Sequence, residues 1–275
     1  MVQSMASSAG EQAPAAAPFR PAAYGETDVG RVRERNEDTF AVLAHQGLFM
    51  VADGMGGAAG GALASRMVIE RVQRAMEDAE TTWPVGASAH GVESGPRRFL
   101  AGILRANREI HRLARQDIRK KGMGTTFAGL LLLARCAVVA HVGDSRVYRL
   151  REGRLERMTH DHSLVNHLMA MGCLRPEEAA SHPKRNVITR AVGPCETVDV
   201  DTKIVDTRTG DAFLLCSDGL HGALDDAEIA AILREHGDLA DAVGHLIDRA
   251  NECGGKDNVT AVLMRLEPVS GAAIP

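Results

Sequence analysis

Three apolar segments of this chain each run into an aspartate that has a glycine beside it. Asp53 follows FMVA, Asp144 follows VVAHVG and Asp218 follows FLLCS. Short apolar runs bounded by turn residues predict buried β-strands. A carboxylate at the end of a buried strand is costly unless a cation pairs with it. If these strand ends are buried, the fold is expected to bring a cation to each of them.

Further carboxylates flank other predicted strands. Asp257 precedes the last strand in GGKDNVT, and Glu37 and Asp38 precede the first strand in RNED. Few lysines or arginines are placed to neutralise so many acids, so shared divalent cations are the economical solution. Oxygen ligands of this kind suit Mg²⁺ or Mn²⁺, whereas the C-x-x-C spacing typical of a zinc-thiolate site does not occur in the chain. Together these acids predict a divalent metal site.

Each of these residues taken alone has a simpler interpretation. A single Asp-Gly pair at a strand end is most often a turn, and Glu37 with Asp38 is more often a solvated pair or a helix start. Arg33, in RVRERNED, could bind a phosphate bidentately, although a single arginine here is more often a surface side chain. The recurrence of aspartate at four strand ends is what favours the metal site.

The segment VADGMGGAAGG, residues 51–61, raises a second question about the same site. Glycine-rich loops often surround a phosphate with backbone amides. This one contains Asp53 and no lysine, and it matches neither G-x-G-x-x-G nor G-x-x-x-x-G-K-[ST]. The glycines alone leave both a phosphate loop and a metal ligand open.

Strand and helix patterns alternate along the chain without the regular βαβ repeat of a parallel sheet. Apolar residues at helical spacing predict one pair of helices at 58–76 and 99–118 and a second at 225–234 and 239–253. Short apolar runs before, between and after them predict strands. This arrangement favours an α+β fold built from packed layers, with no linker long enough to divide it into two domains.

Composition narrows the class of protein further. The 275 residues are 45 % apolar, which is enough for a real core, and the formal net charge of −4 argues against general nucleic-acid binding. The five scattered cysteines disfavour a disulfide framework and favour a reducing cytosol. Cys216 is expected to be a buried structural thiol and not a nucleophile. No apolar run approaches the ~20 residues of a membrane helix, so we expect a soluble cytoplasmic protein.

Eight motifs occur in an order that resembles one known family. They are G-R-V-R-E-R-N-E-D, V-A-D-G-M-G-G, G-T-T, H-V-G-D-S-R, T-H-D-H-S, N-V-I-T-R-A-V-G, C-S-D-G-L and G-K-D-N-V-T. From about residue 27 to residue 265 they strongly resemble bacterial metal-dependent Ser/Thr protein phosphatases of the type 2C, or PPM, family. The resemblance implies an α+β fold, a four-layer αββα sandwich of two antiparallel β-sheets flanked by helix pairs, with a small flap at about 163–190.

The same resemblance assigns roles to the residues singled out above. Asp53 would bridge two Mn²⁺ or Mg²⁺ ions, and the Gly54 carbonyl would complete the second site. Asp218 and Asp257 would hold the first ion. Arg33 would hold the substrate phosphate. A water shared by the two ions would attack phosphorus in line, without a phosphoenzyme.

Three further acids would support this centre. Glu37 and Asp38 would act mainly through bound waters. Asp144, together with Asp218, resembles the third metal site of bacterial family members. The resemblance therefore implies two ions, and a third where Asp144 lies.

Two departures from the family pattern concern the proton donor. Many relatives have histidine where this chain has Met55, and many bacterial ones have histidine and glutamate where it has Ala58 and Ala62. Three histidines lie near the motifs: His160, His162 and His182. We expect water, and not one of these side chains, to protonate the leaving oxygen.

The implied function is a phosphoprotein phosphatase that opposes Ser/Thr kinases, a monomer that binds neither nucleic acid nor a membrane. Residues 1–22 are expected to form a flexible Ala/Pro/Ser-rich tail, residues 23–268 the catalytic domain and residues 269–275 a short C-terminal tail. Two alternatives stay open. One is a catalytically weak family member that acts as a binding module, and the other is a phosphatase of small phosphate esters.

Overall fold

The computed structural model of the protein describes residues 19–56, 60–77, 94–179 and 182–268. Its strands are β1 (Phe19–Asp28), β2 (Thr39–Leu43), β3 (Leu48–Ala52), β4 (Gly54–Met55), β5 (Gly124–Thr125), β6 (Phe127–Leu132), β7 (Cys136–Val142), β8 (Arg146–Arg151), β9 (Arg154–Arg157), β10 (Asp201–Asp206), β11 (Ala212–Cys216) and β12 (Val259–Pro268). Its α-helices are α1 (Gly60–Glu77), α2 (Ser94–Gln116), α3 (Leu164–Ala170), α4 (Pro176–Ala179), α5 (Asp218–His221), α6 (Asp226–Glu235) and α7 (Leu239–Glu252).

Ten of these strands form two five-stranded sheets. The strand order is β1-β12-β11-β8-β9 in the first sheet and β10-β7-β6-β3-β2 in the second, and β4 pairs separately with β5. Every neighbouring pair of strands is antiparallel. Antiparallel pairing agrees with the sequence, which lacks the regular βαβ repeat of a parallel sheet.

The central strands are apolar throughout because both of their faces are buried. In β3, Leu48 and Met50 pack against helices α1 and α2. The alternate residues Phe49 and Val51 pack between the two sheets, as the two-residue period of a strand requires. One strand therefore supplies side chains to two core layers.

Strand β11 does the same for the other sheet. Leu214 and Cys216 pack with helices α5, α6 and α7, whereas Phe213 and Leu215 face the layer between the sheets. Helices, two sheets and helices thus follow one another in four layers. The predicted α+β fold, a four-layer αββα sandwich, is confirmed.

The first strand begins earlier than the sequence indicates. Phe19 is buried, and β1 pairs with β12 along its whole length, from Phe19 opposite Pro268 to Asp28 opposite Val259. Residues 19–22 therefore belong to the sheet and not to the tail in which the prediction placed them. The segment FRPAA lacks a continuous apolar run, and its extended conformation follows from pairing with a strand some 240 residues away.

The flap contains α3 and α4, and a bridge between Ser163 and Ile188 closes its base. The expected tails at 1–18 and 269–275, as well as Ala58, lie outside the described residues. None of the helices in the described part of the chain has both the length and the apolar composition that crossing a bilayer requires.

Candidate metal centre

The acids at the strand ends meet at one edge of the sandwich. Antiparallel neighbours place the end of one strand beside the start of the next, so the β3–β4, β11–α5 and α7–β12 connections converge there. A cavity of about 600 Å³ opens at this edge. Its lining includes seven of the eight residues that the sequence singled out: Arg33, Glu37, Asp53, Gly54, Asp144, Asp218 and Asp257.

The eighth residue, Asp38, is buried beside the strands, with 8 % of its surface exposed. Its Oδ2 accepts hydrogen bonds from Ser217 Oγ at 2.7 Å and from Thr260 Oγ1 at 2.6 Å. Its Oδ1 is buried and has no hydrogen-bond partner among the described residues. Burial raises the pKa of Asp38 to about 7, although the hydrogen bonds from the two hydroxyls act in the opposite direction.

The other buried acids also hold their protons unusually tightly. Burial raises the pKa of Asp53 well above its ordinary value, and the charges of Asp38 and Asp218 raise it further. Burial and the Asp257 charge raise the pKa of Asp218. Burial and the Asp218 charge raise the pKa of Asp144 to about 7. Carboxylates in this position need a cation to be ionised at neutral pH.

These residues fit a divalent metal centre. Asp218 Oδ1, like Asp38 Oδ1, is buried without a hydrogen-bond partner among the described residues, and such an oxygen is costly unless it binds an ion. The donor set consists of carboxylate and backbone oxygens, which Mg²⁺ and Mn²⁺ prefer. The arrangement can therefore hold hard cations beside an open cavity.

The G-T-T motif fixes the backbone of Asp53. The Thr126 amide and the Thr125 hydroxyl both donate to the Asp53 carbonyl at 2.8 Å. In return the Asp53 amide donates to Thr126 Oγ1 at 3.0 Å. On spacing alone this motif reads as a turn, and its role emerges only from the pairing of β4 with β5.

Position 54 requires a glycine because there is no room for a side chain, and not because the backbone adopts an unusual φ. A Cβ at this position would lie 2.3 Å from the Gly61 carbonyl oxygen and 2.7 Å from that of Glu37. The start of α1 and the acidic loop before β2 therefore close on this one residue. Its backbone is held in the β4–β5 pair opposite Thr125.

Asn258 is a site residue that the sequence analysis missed. Its Nδ2 donates to the carbonyls of Val29 and Arg35 at 3.0 and 2.9 Å, and its Oδ1 accepts from the Glu37 amide at 2.8 Å. The side chain thus ties the loop before β2 to the start of β12. Its position directly after Asp257 is the signal that could have pointed to it.

The three histidines near the motifs lie away from the metal cavity, whose described lining contains no histidine. His162 Nδ1 accepts from the Gly143 amide, and its Nε2 lies 3.3 Å from Asp201 Oδ2. His182 Nδ1 accepts from the Lys184 amide. Met55, by contrast, lines the cavity. Protonation of the leaving group by water therefore stays a prediction.

A second group of potential ligands lies beneath the flap, at His141, His162 and Asp201. The two imidazole rings stack with their centroids 4.7 Å apart and their planes 21° apart, and one potential ligand atom from each of the three residues lies within 4.8 Å of the others. The Arg190 guanidinium already lies 2.5 Å from Asp201. The Arg190 guanidinium therefore already supplies a positive charge to Asp201 without a metal ion.

Cys216 is buried, as expected, within the layer between its sheet and the helices. Burial raises the pKa of its thiol to about 12. Because the thiolate is the nucleophilic form, this cysteine is unreactive at neutral pH.

Comparison with known proteins places the chain in a family. The family model of protein phosphatase 2C matches residues 30–264. The serine/threonine phosphatase stp of Listeria monocytogenes is 37 % identical over 241 residues, which cover 86 % of this chain and 93 % of that protein. Serine/threonine phosphatase Stp1 from Staphylococcus aureus superposes with a TM-score of 0.81 at 35 % identity, over 94 % of this chain and 99 % of that one.

A third relative carries metal ions. The catalytic domain of the serine/threonine protein phosphatase PstP, solved in complex with two manganese ions, superposes with a TM-score of 0.76 at 32 % identity, over 90 % of this chain and 99 % of that one. The chain therefore belongs to the protein phosphatase 2C family. It is a protein phosphatase, a hydrolase of a family that depends on divalent metals.

Proposed function

We propose that the chain removes phosphate from phosphoserine and phosphothreonine in proteins, by direct attack of water within a two-metal centre, and that it opposes bacterial Ser/Thr kinases. The observation that carries this proposal is the convergence of buried, partly unpartnered carboxylates on one open cavity. The named relatives, which are serine/threonine phosphatases, support the substrate class.

The residues that would hold the ions are those that line the cavity. Asp53 and the Gly54 carbonyl, with Asp218 and Asp257, would hold two Mn²⁺ or Mg²⁺ ions. When bound, such ions supply Lewis acidity that lowers the pKa of a water molecule and offsets charge on the phosphoryl oxygens. Asp144 would contribute to a third ion.

Glu37 and Asp38 would act through water molecules. The hydroxyls of Ser217 and Thr260 bind only one oxygen of Asp38, so its other oxygen stays available. Asn258 holds the Glu37 backbone in place through the amide. These residues would thus position water at the edge of the cavity.

Arg33 would bind the phosphoryl group. Its guanidinium lines the cavity, and more than half of the side chain is exposed. A planar guanidinium can donate two parallel hydrogen bonds to a phosphate. Since the Cys216 thiol is buried and protonated, a covalent cysteinyl-phosphate route has no nucleophile there.

A comparison of phosphopeptides tests this proposal. Peptides of one sequence that carry phosphoserine, phosphothreonine or phosphotyrosine are incubated with enzyme and Mn²⁺, and released phosphate is measured. We expect release from the first two and little from the third. Hydrolysis of small phosphate esters alone would favour the small-ester alternative, and binding of phosphopeptides without release would favour a binding module.

Opposition to a kinase needs its own measurement. An autophosphorylated Ser/Thr kinase from the same cell is incubated with the enzyme, and phosphate on its serines and threonines is counted by mass spectrometry. We expect loss of these phosphates. A kinase that keeps them all, under conditions in which phosphopeptides are hydrolysed, would contradict this part of the proposal.

A further inference from the structure

A groove leads away from the metal cavity beneath the flap. It has a volume of about 630 Å³, which is within the range of pockets that bind ligands of several hundred daltons. One wall comes from the flap, at Val165 and Met169, and the other from the turns after Asp218 and before β12. The groove and the cavity share four lining residues: Asp144, Asn186, Asp218 and Asp257. A substrate whose phosphate occupies the cavity can thus extend directly into the groove.

Two of the cations along this groove are already ion-paired with one carboxylate. Arg146 donates to both oxygens of Asp161, with its Nη2 at 2.7 Å, and its Nη1 donates to Tyr148. Arg157 Nη1 lies 3.5 Å from the same Asp161 carboxylate. These two arginines are held in place by the carboxylate that they share, and they form part of the wall of the groove.

Two other cations have no such partner. Arg185, on the flap, and Lys256, on the opposite wall, both line the groove and are exposed. Neither side chain forms an ion pair or a hydrogen bond with any residue that the structure describes. The remaining acids of the groove are Asp161, which is paired, and the three metal-site aspartates. The groove therefore presents two unpaired positive charges to a ligand, and it adjoins the catalytic cavity.

We infer that this groove binds the peptide segment beside the phosphorylated residue, and that Arg185 and Lys256 select segments with an anionic side chain there. The anion is a carboxylate or a second phosphate, since both accept hydrogen bonds from these cations. The inference rests on the proposed function and adds a substrate preference to it. Charge complementarity at both walls is its basis.

The test uses phosphothreonine peptides of one length that differ only in the residues flanking the phosphothreonine. The flanks carry alanine, glutamate or a non-hydrolysable phosphonate analogue of phosphothreonine, on either side. The wild type should hydrolyse at least one anionic peptide with a higher kcat/KM than the alanine peptide. The glutamate and phosphonate peptides then show whether a carboxylate or a phosphate is preferred.

The decisive variant is the double substitution Arg185→Ala with Lys256→Ala. We expect it to reduce the ratio of anionic to alanine kcat/KM by about 2- to 5-fold for each cation, as for exposed ion pairs. The matched control is Arg66→Ala with Lys203→Ala, which removes two exposed cations that line neither the groove nor the cavity. This control should keep the wild-type ratio, and raising the salt concentration should shrink the ratio in the wild type.

A second readout does not depend on turnover. The dissociation constants of fluorescent peptides that carry a phosphonate in place of the hydrolysable phosphate should show the same preference and the same loss in the groove variant. Equal kcat/KM values for all flanks in the wild type, or an unchanged ratio in the groove variant, would overturn the inference while leaving the proposed function intact. Failure of every peptide to release phosphate would overturn the proposed function and this inference with it.

Discussion

Arg33 Nη2 lies 2.6 Å from Asp257 Oδ2, so the cation proposed to bind phosphate is ion-paired with a carboxylate proposed to bind metal. The Asp257 carboxylate is about one-third exposed, and Arg33 more than half. A metal ion at Asp257 would compete with Arg33 for that carboxylate. Metal binding would therefore free the guanidinium for a substrate phosphate.

Substitution of Arg33 by alanine should reduce kcat/KM for phosphopeptides by roughly 10- to 100-fold, because hydrogen bonds to charged groups contribute about 1.5–3 kcal/mol. The affinity for Mn²⁺ should not fall, because the ion no longer competes with a guanidinium for the Asp257 carboxylate. Steady-state kinetics and calorimetric titration with Mn²⁺ measure the two effects. Arg31→Ala is the matched control, because Arg31 lies two residues away and does not line the cavity. Equal losses in both variants would contradict the role of Arg33.

The glycine at position 54 should tolerate no side chain. Gly54→Ala forces a Cβ to within 2.3 Å of the Gly61 carbonyl oxygen, and overpacking of this kind costs about 1–3 kcal/mol of unfolding free energy. Gly244→Ala is the control, because a Cβ there meets no atom within 4 Å and the residue lies inside α7. It should stabilise the protein by about 0.5–1 kcal/mol. Urea unfolding of the two variants measures the contrast, and similar midpoints would refute the packing argument.

Asn258→Ala should destabilise the protein and the site together. It removes three hydrogen bonds to the loop before β2, at a cost of about 2–4 kcal/mol when buried groups are left unpaired. Asn166→Ala, which removes one side-chain hydrogen bond to the Asp161 carbonyl, is the control with the smaller expected loss. Denaturant unfolding and Mn²⁺ titration check both effects. An Asn258→Ala protein with wild-type stability and metal affinity would show that Asn258 does not hold this loop.

The acids of the site could be predicted from sequence because each one carries a local signal. Asp53 and Asp218 interrupt apolar runs, and an interruption at a strand end is visible without knowledge of the fold. The four-layer sandwich was implied by the family resemblance that the order of the motifs carries, and the alternation of strand and helix patterns favoured packed α+β layers. These features depend on neighbouring residues in the chain.

Other features depend on contacts between distant segments and were not predicted. The hydrogen bonds of Asn258 reach carbonyls more than 220 residues earlier in the chain. The Thr125 and Thr126 contacts with Asp53 exist only once β4 and β5 have paired. Phe19 extends the first sheet only because β12 offers it a partner. Burial and pairing of this kind follow from the register of the strands, which local patterns do not reveal.

Metal binding should strengthen as pH rises from about 5 to 7.5. In the metal-free folded protein, Asp38 and Asp144 have pKa values of about 7, whereas unfolded aspartates lose their protons near pH 4. The folded state thus holds more protons between these values, and the contribution of these two acids to stability falls as pH rises through that window. A cation that binds these two carboxylates replaces their protons and restores their contribution to stability.

The measurement is the rise in Tm that Mn²⁺ produces at several pH values. Comparison of the same buffer with and without Mn²⁺ cancels the contributions of histidines, such as the buried His221 whose pKa is lowered to about 3. The Mn²⁺-induced rise should be smallest near pH 5 and largest above pH 7. A rise that is independent of pH would mean that these carboxylates are not the groups that bind the ion.

In the proposed function, the carboxylates at the strand ends hold the metals on which hydrolysis depends. The most direct test measures phosphothreonine-peptide hydrolysis and calorimetric Mn²⁺ stoichiometry on the same samples, for the EDTA-treated wild type and for Asp53→Asn. The wild type should lose activity with EDTA, regain it with Mn²⁺ and bind at least two ions. Asp53→Asn should bind fewer ions and stay inactive at any Mn²⁺ concentration. Full hydrolysis by Asp53→Asn, or by the wild type after removal of all metal, would contradict the account.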